Sequence, residues 1–217
     1  MPSTPSARRP LKTRNTAWAR GLARWLVARR VAPNHISLLS LVFAALGAIA
    51  MLLSPTVPPE VRAGLYLAAA ACIQLRLLCN LLDGMVAVEG GLGSRSGEVY
   101  NEIPDRIADP LLIVPVGYAC GLAWGPELAW TAGLLALLTA YIRALGGTLG
   151  LPQNFQGPMA KPHRMAALTT GLLGAALVSP WGLDGVLLLL VLILIVLGTG
   201  LTAVRRTQTI LRALEAR

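Results

Sequence analysis

The sequence predicts an all-α integral membrane protein: six transmembrane helices preceded by an amphipathic interfacial helix, with both termini cytoplasmic. Three observations lead there. Hydrophobic residues make up 55% of the chain and charged residues only 13%, where a soluble domain carries about 25% charge. Apolar stretches long enough to cross a bilayer recur along the chain. Basic residues gather at the ends of those stretches, and with the exception of Arg62 and the mid-span Arg76 at ends that alternate topology puts on one side. At 217 residues, one bundle uses up the length.

The first 35 residues hold Arg8, Arg9, Lys12, Arg14, Arg20, Arg24, Arg29 and Arg30 and no acid. From Trp18 onward, Trp18, Leu22, Trp25 and Leu26 fall at helical spacing, with Arg20 and Arg24 elsewhere on the surface. This pattern fits a helix lying on an anionic leaflet with tryptophans at headgroup depth. A secretory signal peptide fits less well, because the charged region is too long and no small-residue cleavage site follows. Pro33-Asn34-His35 is read as the break before span one, 36–53. Ser54 to Pro59, with three prolines, is a rigid turn. Span two, 63–82, carries Gln74 and Arg76. A glycine-rich half-loop is expected over 83–102. A helix starting near Gly97 becomes span three and reaches about Trp124, with Pro104, Pro110 and Pro115 as kink sites. Span four is 128–145, and a loop rich in glycine and proline follows over 146–164. Span five is 165–178, span six 186–204, and a basic helical tail runs 205–217. The chain thus divides into an interfacial segment (1–35), a membrane domain (36–204) and a cytoplasmic tail (205–217).

The charges test this topology. The eight N-terminal cations, Arg95, Arg106, Arg143, Lys161, Arg164, Arg205, Arg206, Arg212 and Arg217 all fall on one side. Only Arg62 lies on the other, and Arg76 lies within a span. Such a bias places both termini inside. We expect the bacterial cytoplasmic (inner) membrane. The net charge of +9 has no nucleic-acid motif or aromatic-basic interleaving beside it, so no nucleic acid is expected. Cys72, Cys79 and Cys120 lie in or beside apolar runs at no metal spacing and read as small fillers. The spacing Gly121-x3-Gly125 reads as close helix packing or a dimer contact. A transporter would carry polar residues at mid-span. Here nearly all lie at one end, and no internal repeat pairs the halves.

Six of the ten acidic residues, Asp83, Glu89, Glu98, Glu102, Asp105 and Asp109, fall between 83 and 109. Carboxylates at the edge of hydrocarbon are costly and mark function by default. Arg76, Asn80, Asp83 and Ala87 share one face of a helix, as do Gly97, Asn101 and Asp105 on the next. Arg76 is within reach of Asn80 and Asp83. Two helix ends with facing oxygen side chains suit a hard cation such as Mg²⁺, which takes a few carboxylates together with substrate phosphates. Gly84, Ala87 and Gly97 leave room for a bulky ligand. The competing reading is a set of helix caps and solvated loop charges.

The spacing resembles the signature of the CDP-alcohol phosphotransferase family, D-x2-D-G-x2-A-R-x8-G-x3-D-x3-D. Asp83, Gly84, Ala87, Gly97 and Asp105 match it by identity, while Asn80, Val88 and Asn101 stand where it has Asp, Arg and Asp. The resemblance covers most of the chain, including Pro33 to Ser37 opening span one and a Gly/Lys loop after span four. It implies transfer of a substituted phosphate from a CDP-linked lipid, CDP-diacylglycerol above all, to a small alcohol acceptor with release of CMP. It further implies Mg²⁺ or Mn²⁺ as cofactor and a homodimer. Asn80, Asp83, Asn101 and Asp105 would hold metal, with Asp105 also the base. Gly84, Ala87 and Gly97 would border the nucleotide and phosphates.

The departures leave alternatives open. The four metal positions carry two negative charges instead of four. Either one metal binds, or Glu98 or Glu102, one turn away, supplies charge. Arg76, Arg95 or Arg106 could replace the cation missing at Val88. Arg143 and Lys161 read as an acceptor pocket for an anionic headgroup or as plain positive-inside charge. A catalytically inactive member that binds CDP-lipid or metal without turnover is the alternative to an enzyme.

Overall fold

A computed structural model describes residues 16–93 and 96–217. Among the described residues it is all-helical. An interfacial-type helix α1 (Ala17–Ala28) leads into α2 (Pro33–Leu53), α3 (Pro59–Glu89), α4 (Gly97–Ala119), α5 (Gly125–Thr148), α6 (Lys161–Val178) and α7 (Asp184–Glu215). Single turns of 3₁₀ helix at Ser54–Thr56 and Ser179–Trp181 make two of the connections. Four helical segments, Pro33–Thr56, Pro59–Glu89, Gly125–Thr148 and Asp184–Glu215, are long and apolar enough to cross a membrane. The protein is therefore an integral membrane protein. The remaining two, α4 and α6, begin with charged turns that shorten their apolar length.

Proline in the first turn of α2, α3, α5 and α6 starts each helix where its missing N–H costs nothing. The helices alternate in direction. α2 packs on α3 and α4, α4 on α5, α5 on α7, and α6 bridges α3 and α7. Their shared core holds Met51, Ile73, Leu112, Ile113, Leu168, Leu172, Leu188 and Leu192, all at most 1% exposed. Leu38, Leu46, Leu134, Leu190 and Leu197 stay exposed on the outside, as lipid-facing positions do. At the crossing of α4 and α5 the backbones touch: a Cβ on Gly117 would lie 2.3 Å from the Gly125 carbonyl oxygen. Gly121, expected to share that packing, instead makes the connecting turn at φ 65° with open space around it.

Several boundaries differ from the sequence reading. Pro33 does not lie in the break; it is the first residue of α2, and the break falls at 29–32, where Arg30 adopts φ 54°. Asp83-Gly84 does not end α3. The next apolar residues, Met85 and Val86, are buried against Ala19 and Ala23 of α1, so the helix continues to Glu89 and the half-loop contracts. α4 stops at Ala119, before the left-handed Gly121. The basic tail is helical, as expected, and continues α7 without a break to Glu215. Residues 1–15 of the basic segment and Arg95 lie outside the described residues.

At the end of the bundle away from the acidic stretch, Asp184 is 3% exposed. It accepts hydrogen bonds from the Tyr66 hydroxyl at 2.9 Å and from Arg62 at 3.3 Å. Arg62 also donates to the Ser54 carbonyl at 3.1 Å. These contacts join α3, the first 3₁₀ turn and the start of α7.

Candidate active site

The expected metal and substrate-binding residues, with Glu98 and Glu102, line one cavity of about 870 Å³ at the end of the bundle where α3 finishes and α4 begins, whereas Arg76, Val88 and Asp109 lie outside its lining. α3 supplies Asn80, Asp83, Gly84 and Ala87; α4 supplies Gly97, Glu98, Asn101, Glu102 and Asp105; α5 supplies Arg143 and α6 Lys161. Helical periodicity is the reason: the α3 and α4 residues each recur at three- and four-residue steps, so each set makes one stripe. The cavity also takes Ser37 from α2, Thr139 from α5, Gln153 and Phe155 from the 149–160 loop, Arg164 from α6 and Arg206 from α7. Arg164 shares the sequence-expected face of Arg143 and Lys161; the other five were missed by sequence reasoning as site residues. Ser37 was visible only as part of the opening of α2. The loop residues follow no pattern that a sequence could expose.

The two carboxylates of the signature sit in different surroundings. Asp83, 6% exposed, has neutral donors: the Ser37 hydroxyl at 2.7 Å on Oδ2 and the Gly84 N–H at 2.6 Å on Oδ1. Asp105 has cationic ones. Arg76 Nη2 donates to its Oδ1 at 3.1 Å, Asn80 Nδ2 donates to the same oxygen, and the Lys161 ammonium pairs with Oδ2. Arg76, expected near Asn80 and Asp83 along its own helix, thus reaches across to α4. It also bonds Asp109 Oδ1 at 3.1 Å, whose Oδ2 takes Arg164 at 2.7 Å. The result is an alternating chain of charge, Lys161–Asp105–Arg76–Asp109–Arg164, running inward from the cavity across α3, α4 and α6.

Glu102 is held on both sides by Arg143, at 2.7 and 2.8 Å, and by Arg106 on its own helix. Arg143 also bonds Gln153 at 3.3 Å and lies 5.2 Å over the Phe155 ring, so it pins the 149–160 loop to the cavity wall. Arg206 fixes the same loop, donating to the Gln156 carbonyl at 2.8 Å and to Thr139 O at 2.9 Å. Thr202 accepts from the Met159 N–H at 3.0 Å, beside Gly157 at φ 127°. A Cβ at Gly157 would lie 2.3 Å from the Thr202 methyl, so the loop can lie this close only with glycine there. Glu98 is exposed at the rim, and Val88 is 64% exposed. The three cysteines are free thiols.

The donor set can be tested against a divalent cation. Among the described residues no three His, Cys, Asp or Glu side chains converge as a metal cluster. Asp83, with neutral hydrogen-bond partners and the amide side chains of Asn80 and Asn101 on the same wall, fits one hard cation completed by substrate oxygens. Asp105 fits a second poorly, because protein cations already hold both its oxygens.

Fold and site together define an all-helical membrane protein with a polar, acid-bearing cavity at one end of its bundle. The chain belongs to the CDP-alcohol phosphatidyltransferase family, a family of transferases, whose profile matches residues 30–204. It is 31% identical over 157 residues to the inner membrane protein YnbA of Escherichia coli K12, covering 70% of this chain and 71% of that one. It is 26% identical over 168 residues to the phosphatidylinositol phosphate synthase of Corynebacterium glutamicum, covering 75% and 72%. The crystal structure of the Mycobacterium tuberculosis phosphatidylinositol phosphate synthase with CDP-DAG bound shares the fold. Its TM-score is 0.73 at 22% identity, over 90% of this chain and 94% of that one. The same enzyme in complex with manganese and citrate superposes with a TM-score of 0.72 at 22% identity, over 88% of each chain.

Proposed function

We propose that this chain is an active phosphatidyltransferase that moves the phosphatidyl group of a CDP-linked lipid, CDP-diacylglycerol, to a small alcohol and releases CMP. One observation carries the reading: the signature residues of α3 and α4, with Arg143 and Lys161, converge on a single cavity large enough for a nucleotide and a headgroup. Small residues on its wall, Gly84, Ala87 and Gly97, let the cytidine and pyrophosphate approach the backbone closely.

In this reading Asp105 accepts the proton of the alcohol. The alcohol oxygen forms a bond to the β-phosphorus, and the bond from that phosphorus to the bridging oxygen breaks, so that CMP leaves with the electron pair. For this, the ammonium of Lys161 shifts to bridge Asp105 and the phosphates, as a second cation would, and opens Oδ2 to the alcohol. A divalent cation, Mg²⁺ or Mn²⁺, on Asp83 with Asn80, Asn101 and Asp105 nearby, supplies charge neutralisation at the pyrophosphate when bound. The Arg143 side of the cavity receives the acceptor, and Glu98 stands at the rim. The reading includes six spans, α2 to α7, both termini and the cavity on the cytoplasmic side of a bacterial inner membrane, and a homodimer. The one-sided placement of lysine and arginine supports that orientation. The division into interfacial segment, membrane domain and tail belongs to the same proposal.

The test is CMP release by the purified chain in lipid nanodiscs with CDP-diacylglycerol and a panel of alcohols. Asp105→Asn is expected to lower turnover by about 10²–10⁴-fold, the usual contribution of a positioned base. The second reading, a member that binds CDP-lipid without turnover, is favoured by the two cations on Asp105. It wins if CDP-lipid binds and no alcohol in the panel yields CMP.

A further inference from the structure

We propose that this site takes a single divalent cation, on the Asp83 side, and that the Arg76 guanidinium and Lys161 ammonium fill the electrostatic place of a second one at Asp105. The inference rests on the transferase reading and deepens it.

The two arms of the site differ in charge, not only in residue type. On the Asp83 arm the carboxylate is met by a hydroxyl and a backbone N–H, so its negative charge stays uncompensated by protein cations in direct contact. A hard cation is what such an arm lacks, and one carboxylate with substrate phosphates and water is a normal set for Mg²⁺ or Mn²⁺. On the Asp105 arm one negative charge meets two positive ones. A second divalent ion bound to Asp105 would share an oxygen's surroundings with Arg76.

Arg76 cannot step aside. It is 0% exposed, and Asp109, itself clamped by Arg164, holds the same nitrogen that touches Asp105. Its Nε and Nη1 have no hydrogen-bond partner among the described residues, so a fixed buried cation lies under the site with donor capacity to spare. Asn80 completes the argument. A carboxylate at that position could help hold an ion against Asp105; the amide instead donates to Asp105 Oδ1, as one more positive dipole. Glu102 cannot make up the missing charge, because Arg143 and Arg106 engage it. The arrangement of cations and the loss of acids thus compensate one another at a single arm.

The experiment is a Mn²⁺ titration of the full chain in nanodiscs containing CDP-diacylglycerol, read by electron paramagnetic resonance for free and bound ion. The expected result is one Mn²⁺ per chain with the spectrum of an isolated ion, its affinity at least tenfold weaker in Asp83→Asn. Two ions per chain with a spin-coupled spectrum overturn the proposal, and so does the absence of bound Mn²⁺. CMP release, measured on the same sample, reports separately on the transferase reading: turnover with two ions, or with none, refutes this inference and leaves that reading standing. A second arm uses Lys161, which is partly exposed at a helix start, so its variants keep the core intact. Lys161→Gln is expected to weaken CDP-diacylglycerol binding at least tenfold while Mn²⁺ stoichiometry stays at one, and Lys161→Arg to retain most of the affinity. Lipid affinity within twofold of wild type in Lys161→Gln sinks the charge role assigned to the ammonium.

Discussion

Asp109 lies below the cavity, outside the signature, and its replacement tests the charge chain directly. The side chain is 6% exposed and is shared by Arg76 at 3.1 Å and Arg164 at 2.7 Å. Asp109→Leu removes the acid and leaves both cations buried. Arg76 keeps Asp105, but Arg164 keeps only the Met159 carbonyl at 3.0 Å and a marginal contact to Thr139 at 3.5 Å, with its Nε already without a partner. Breaking a buried pair by deleting one member costs about 3–5 kcal/mol; here Arg164 is stranded and Arg76 loses one of its two anions, so we take the upper half, about 4–5 kcal/mol. For a chain of this size each kcal/mol lowers Tm by about 2–4 °C, so a fall of about 8–20 °C is expected. Intrinsic tryptophan fluorescence during heating in detergent measures it, with Trp130 and Trp181 among the reporters. The reasoning also requires that Asp109→Leu combined with Arg164→Met recover most of the loss, since apolar replacement of a whole buried pair is close to neutral. A fall of less than about 3 °C for the single variant, or a double variant as unstable as the summed singles, refutes it.

Two further substitutions probe packing away from the cavity. Tyr66→Phe removes a buried hydrogen bond to the charged Asp184 and should cost about 1.5–3 kcal/mol in thermal or denaturant unfolding, with CMP release at permissive temperature unchanged. Gly117→Ala sets a Cβ against the Gly125 carbonyl and the Ala129 methyl, both in α5, and should cost about 1–3 kcal/mol, read as lower Tm and lower yield of monodisperse protein.

Much of the site was legible because it depends on helical period. Asn80, Asp83 and Ala87, then Gly97, Asn101 and Asp105, had to form stripes once each segment was helical, and the apolar runs required the segments to be helical. The course of Arg76 was not legible. Spacing places it near Asn80 and Asp83, yet its guanidinium is long enough to cross to another helix, and only tertiary packing decides which acid it meets. The end of α3 was misread for a related reason. Asp83-Gly84 carries a stop signal, but burial of Met85 and Val86 against α1 outweighs local propensity. Gln153, Phe155 and Arg206 join the cavity through a loop of irregular backbone, where sequence has no period to follow.

The two asparagines at the signature's acidic positions are not equivalent, and the difference yields a prediction. Asn101 lines the cavity one turn nearer its mouth than Asp105, exposed enough for water to solvate a carboxylate placed there. Asn80 touches Asp105 directly. Asn80→Asp therefore turns a donor into a second anion against the same oxygen, and two carboxylates in contact repel each other even with Arg76 and Lys161 beside them. The variant should be less stable than wild type in chelator and regain stability as Mn²⁺ is added. At free metal 100 times Kd the linkage is worth about 2.7 kcal/mol, or about 5–11 °C in Tm. Asn101→Asp, solvated and farther from Asp105, should show a smaller Mn²⁺-dependent rise. Equal metal responses in the two variants would mean that contact with Asp105 is not what distinguishes these positions. No response in either would remove both from the metal-binding set.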